Sequence, residues 1–67
     1  MIEVGVPLFD DIKGEDVIWV YYPTEKLEGG GWRCDLMTLH GGEVLDCRAG
    51  LRFSEHFLSS LYESPPK

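Results

Sequence analysis

Two stretches of alternating residues, Trp32 to Leu39 and Glu43 to Leu51, flank His40-Gly41-Gly42, and this arrangement constrains the fold more than any other feature of the chain. Gly-Gly accepts the positive φ angles of a two-residue hairpin turn without steric cost. Charge then selects the register. With Gly41 and Gly42 as the loop, His40 faces Glu43, Asp35 faces Arg48, and Thr38, Leu36 and Cys34 face Leu45, Cys47 and Ala49. A four-residue loop, Leu39 to Gly42, sets Arg33 against Arg48 and Asp35 against Asp46, and like charges directly opposite destabilise a ladder. The expectation is the two-residue turn, with Trp32, Cys34, Leu36, Leu45, Cys47, Ala49 and Leu51 on one core-facing wall. The reverse side carries Arg33, Asp35, Met37, Leu39, Val44, Asp46 and Arg48, whose apolar end (Met37, Leu39, Val44) is a candidate contact patch.

Val17-Ile18-Trp19-Val20-Tyr21-Tyr22 is the strongest strand, β-branched or aromatic at every position and apolar on both faces, which suggests a central strand covered on one side by a helix and on the other by a partner. Pro23 is expected to close it, and Gly29-Gly30-Gly31 to end a flexible loop. Near the N-terminus, Ile2–Val6 reads as a short edge strand ended by Pro7, followed by a charged loop from Asp10 to Asp16. Ser54 is placed to cap a helix from Glu55 to about Glu63, with Phe57, Leu58, Leu61 and Tyr62 as its apolar stripe and Ser64-Pro65-Pro66 as its stop. The expected fold is α+β, a small antiparallel sheet of three or four strands with one C-terminal helix packed on one face. At 67 residues the chain holds one domain, spanning 1–67, with a thin core.

Twelve acids against six bases give a formal net charge of −6. A nucleic-acid binder needs basic groups to neutralise phosphates, so direct DNA or RNA binding is not expected. The imbalance is local: residues 1–31 hold Glu3, Asp10, Asp11, Glu15, Asp16, Glu25 and Glu28 against Lys13 and Lys26. Such a field keeps a protein in solution or steers a basic partner. The start Met1-Ile2-Glu3 shows no basic region followed by an apolar one, and no apolar run approaches the ~20 residues of a membrane span, so the default expectation is cytoplasmic. Two cysteines, Cys34 and Cys47, are too few for a disulfide framework and are read as buried thiols, placed diagonally in the hairpin and beyond comfortable bridging distance.

Chemical signatures are weak throughout. Cys34, His40, Cys47 and His56 lack the close pairs of zinc sites, so no metal or other cofactor is expected. The acids around Gly14 lack the alternating ligands of a calcium loop, and the glycine run lacks the Lys-Ser/Thr and strand-loop-helix order of a phosphate cradle. Ser59 and Ser60 near His56 read as surface polar residues, and 67 residues scarcely build a pocket beside a core, so no enzyme is expected. A thiol-dependent or metal-assisted enzyme using Cys34, Cys47 and His40 is the residual catalytic reading. The leading expectation is a protein-binding module: a small acidic inhibitor, of phage or mobile-element type, that docks on a larger protein with a basic surface and occludes its nucleic-acid-binding site. Asp10, Asp11, Glu15, Asp16, Glu25 and Glu28 would mimic phosphate charge, and Trp19, Tyr21 and Trp32 would be anchors. The alternative is a homo-oligomeric structural or accessory subunit, such as a homodimer pairing through an exposed sheet face or edge.

Overall fold

The computed structural model describes residues 1–11 and 15–65. Four strands, β1 (Leu8–Asp11), β2 (Val17–Lys26), β3 (Gly31–His40) and β4 (Glu43–Ser54), form an antiparallel meander in the order β1-β2-β3-β4. A single turn and a half of helix, α1 (Glu55–Ser59), follows. The molecule is a slab of 36 × 20 × 16 Å, its long dimension close to the span of a ten-residue strand.

The N-terminal strand lies further along the chain than the expected Ile2–Val6. A turn at Glu3–Val6, with Gly5 at φ 86°, redirects the chain, and Gly5 N–H donates to the Pro23 carbonyl. Pairing begins only after Pro7, so Asp10 and Asp11 belong to β1 rather than to a loop, opposite Trp19 and Ile18. Residues 12–14 of the expected acidic loop, and Pro66 of the expected helix stop, lie outside the described residues. Pro23 does not end β2. β1 pairs only with residues 18–21, so no ladder hydrogen bond is asked of the Pro23 nitrogen on that side, where the Pro23 carbonyl accepts from Gly5, and the strand continues to Lys26 with a register shift against β3 between Pro23 and Glu25. Gly31 likewise opens β3, and the β2–β3 turn is held by Leu27 N–H to the Gly31 carbonyl at 2.8 Å.

The two-residue turn at Gly41-Gly42 is present, with His40 opposite Glu43. Beyond it the expected register fails twice. One shift lies between Thr38 and Leu39, setting Thr38 opposite Asp46 and Met37 opposite Cys47, and a second lies between Cys34 and Leu36. At the second, Gly50 adopts φ 72°, its N–H donates to Asp35 Oδ1, and its carbonyl accepts from Arg33 Nη1. Side chains thus satisfy the backbone groups that the bulge removes from the ladder. The extra residues exchange the faces of β4: Asp46 and Arg48 move to the side bearing the helix, while Cys47 moves to the reverse. The expected wall keeps Trp32, Cys34, Leu36 and Leu51 and loses Leu45, Cys47 and Ala49, all exposed.

Bulges bend a strand and increase its twist, and here they carry Leu51 and Phe53 over Cys34 and Trp32. The core is Leu8, Tyr21, Trp32, Cys34 and Leu58, with Ile2, Leu36, Phe53 and Leu61 packed against it. Ser54 caps the helix as expected, its Oγ accepting from Phe57 N–H. The helix stops well short of Glu63 because Ser60 Oγ takes the Phe57 carbonyl at 2.6 Å, and Tyr62 then exchanges two backbone hydrogen bonds with Phe9, each 2.8 Å. Leu58 is the only fully buried helical side chain, and Leu58→Ala is expected to cost about 3 kcal/mol. That is a large fraction of what a domain this size has. Urea denaturation checks this, and a loss below about 1 kcal/mol would mean that the helix contributes little to the fold.

Candidate functional site

Strand pairing sorts the side chains of the sheet into two faces. The helix-bearing face holds Leu8, Tyr21, Pro23, Trp32, Cys34 and Phe53 beneath α1. Towards the Gly41-Gly42 end of the same face the helix no longer reaches, leaving an open trough of about 280 Å³ lined by Trp19, Leu36, Thr38, Asp46, Arg48 and Leu51. Arg48 Nε and Asp46 Oδ2 pair there at 3.0 Å.

The reverse face has no covering element among the described residues. Its rows across the strands read Ile18, Leu39, Val44, then Phe9, Val20, Met37, Cys47, then Tyr22 and Asp35. Tyr22 is 44% exposed and Val44 59%. A shallow apolar depression of about 170 Å³ lies among Val20, Tyr22, Leu36, Met37 and Cys47, with Asp35 at its margin. The patch foreseen at Met37, Leu39 and Val44 is part of this face. Ile18, Val20 and Tyr22 extend it because a two-sided apolar strand meets a helix on one side only.

The acidic residues expected to act together lie at two ends of the sheet. Asp10, Asp11, Glu15 and Asp16 lie at the β1–β2 connection, which abuts the β3–β4 turn through Gly41 N–H donating to the Asp16 carbonyl at 3.0 Å. This contact brings Glu43, which sequence reasoning did not single out, to the same end. Glu25 and Glu28 lie at the far end of β2 and in the following turn, roughly 20–30 Å away at the rise of an extended strand. There Glu25 faces Arg33 at 3.4 Å, an exposed pair that contributes little.

The expected aromatic anchors also separate. Tyr21 is 2% exposed and Trp32 6%, so both are core residues and present no docking surface. Tyr21 meets Phe53 and Phe57 edge-on, while Trp32 donates to Glu55 Oε1 at 3.3 Å and lies under Lys26 Nζ. Trp19, at 36%, remains partly open on the trough. Alternation alone does not show which face of β2 the helix chooses, and that choice decides whether Tyr21 or Tyr22 is exposed.

The cysteines point to opposite faces, Cys34 buried and Cys47 exposed, which corrects the reading of both as buried thiols and of a diagonal pair on one wall. Among the described residues no three His, Cys, Asp or Glu side chains converge as a possible metal set. His40 stands exposed at the hairpin end. No helix among the described residues is long and apolar enough to cross a membrane. No family model, no curated protein and no solved structure matches the chain.

Burial, and then the charge of Asp35, raises the Cys34 thiol above its ordinary value, while burial, and then Asp10, raises the Tyr21 phenol. Maleimide is therefore expected to label Cys47 in the folded protein and Cys34 only in denaturant, counted by mass spectrometry; two labels under native conditions would place Cys34 at the surface. The raised values also set an alkaline limit. Both groups favour the folded state while protonated, so stability is intact below their ordinary values, 9.0 for the thiol and 10.0 for the phenol, and falls as pH rises through the higher folded values. Thermal melts above pH 9 are expected to show this decline, and Tyr21→Phe to flatten its upper part.

Proposed function

We propose that the protein is a non-enzymatic binding module that docks its reverse sheet face on a larger protein with a basic surface. The observation that supports this reading is the uncovered apolar face of Phe9, Ile18, Val20, Tyr22, Met37 and Leu39, which ends at Asp11, opposite Ile18, beside the acidic connection that carries Glu15 and Asp16. Contiguous apolar surface of this kind is uncommon on a monomer unless it contacts something. A net charge of −6 makes a basic partner the complementary one, carboxylates steering the encounter and the apolar rows holding the complex. The finer reading rests on the same charge: carboxylates suit the kind of basic surface that accepts phosphates, and docking on such a surface would occlude a nucleic-acid-binding site.

The anchors on this reading are Tyr22, Met37 and Val20, in place of Tyr21 and Trp32. Affinity capture from native extract, at low and then physiological salt, is expected to retain a basic protein whose retention weakens with salt. Either Val20→Lys or the pair Asp11→Lys and Asp16→Lys is expected to reduce retention at least tenfold, with circular dichroism confirming that the fold persists. Capture unaffected by both variants would overturn the proposal. So would a partner that still binds nucleic acid when saturated, for its inhibitory part.

A further inference from the structure

We propose that β4 pairs antiparallel with β4 of a second copy about a two-fold axis at Cys47, joining two four-stranded sheets into one of eight. The two edges of the sheet are unequal. The outer edge of β1 is occupied at Phe9 by the backbone of Tyr62, whereas β4 has no partner on its outer side among the described residues. Every residue from Glu43 to Gly50 is exposed, in the longest strand of the fold. A long open edge is a template for another strand unless something blocks it.

Symmetry and charge together select the register. A two-fold axis perpendicular to a sheet sets one residue opposite its own copy, so candidate registers differ in which residue occupies the centre. With Asp46 or Arg48 at the centre, identical charges meet. With Cys47 at the centre, Asp46 of each copy meets Arg48 of the other, and opposite charges across a ladder are favourable. The two carboxylates and two guanidinium groups then alternate along one face, because Asp46 and Arg48 already lie side by side on the helix-bearing side at 3.0 Å. The bulges of β4 flank this segment and leave Asp46, Cys47 and Arg48 in regular register with Thr38, Met37 and Leu36. Edge bulges usually limit pairing by twisting the strand away; here they confine the regular edge to Asp46, Cys47 and Arg48. Pairing about Cys47 also brings the two reverse faces side by side. It uses the edge and not the face assigned above to another protein, so either proposal can fail alone.

Sedimentation equilibrium across the micromolar to millimolar range tests the pairing. The wild-type chain is expected to form a dimer, Asp46→Lys and Arg48→Asp each to weaken it roughly tenfold, and the double variant to restore it, since reversal at both positions recreates the complementary pairs. Circular dichroism separates this from loss of fold. A short bis-maleimide is expected to join two chains through Cys47 and to fail with Cys47→Ser. A chain monomeric at millimolar concentration would overturn the proposal. So would a dimer indifferent to the single reversals, a double variant that stays weak, or absence of cross-linking in a confirmed dimer.

Discussion

The fold depends on three aromatic rings. Tyr21 from the middle of β2, Phe53 from the end of β4 and Phe57 from α1 meet with centroids 5.1 to 5.5 Å apart, Tyr21 edge-on to both and Phe53 stacked on Phe57. Such contacts contribute beyond the apolar area they bury, and in a core of five buried residues they link a five-residue helix to the strands. An isolated helix of that length has no stability in water, so its existence follows from Leu58 beneath it and from the rings beside it.

This arrangement exposes the reverse face. A helix so short covers one end of one side of a ten-residue sheet, and the chain supplies no second layer among the described residues. β2 is apolar on both sides, so its helix-facing residues make the core while Ile18, Val20 and Tyr22 remain available. The same geometry leaves β4 with an open edge, because the chain after α1 returns to β1 through Tyr62 instead of to β4. An open face and an open edge are separate consequences of one thin core, and they suit different occupants: a complementary surface for the first, another strand for the second.

Much of the hairpin was legible. Gly41-Gly42 between two alternating runs specifies the turn, and His40 does face Glu43. What failed was uninterrupted alternation along β4. Gly50 carried a signal, since glycine inside a strand marks a bulge, whereas nothing around Leu45 distinguishes that shift from regular pairing. A single extra residue exchanges the two faces, which is why Cys47 lies outside while Cys34, placed beside it on the expected wall, lies inside. The strand at Ile2–Val6 was misplaced for a related reason. Its residues have strand propensity, but a strand forms only where a neighbour accepts its hydrogen bonds, and β2 receives Leu8–Asp11.

Local chemistry determined what local chemistry can: the two-residue turn, the β-branched and aromatic run of β2, the Ser54 cap, and the excess of acid over base. Each rests on residues within a few positions of one another. Tertiary structure alone decided which side of β2 the helix covers, so that Tyr21 is core and Tyr22 surface, where β4 bulges, and how the acids divide between the ends of the sheet. Those outcomes depend on contacts between residues far apart in the chain, such as Tyr21 with Phe57 and Phe9 with Tyr62, whose energies do not appear in the pattern of any single segment.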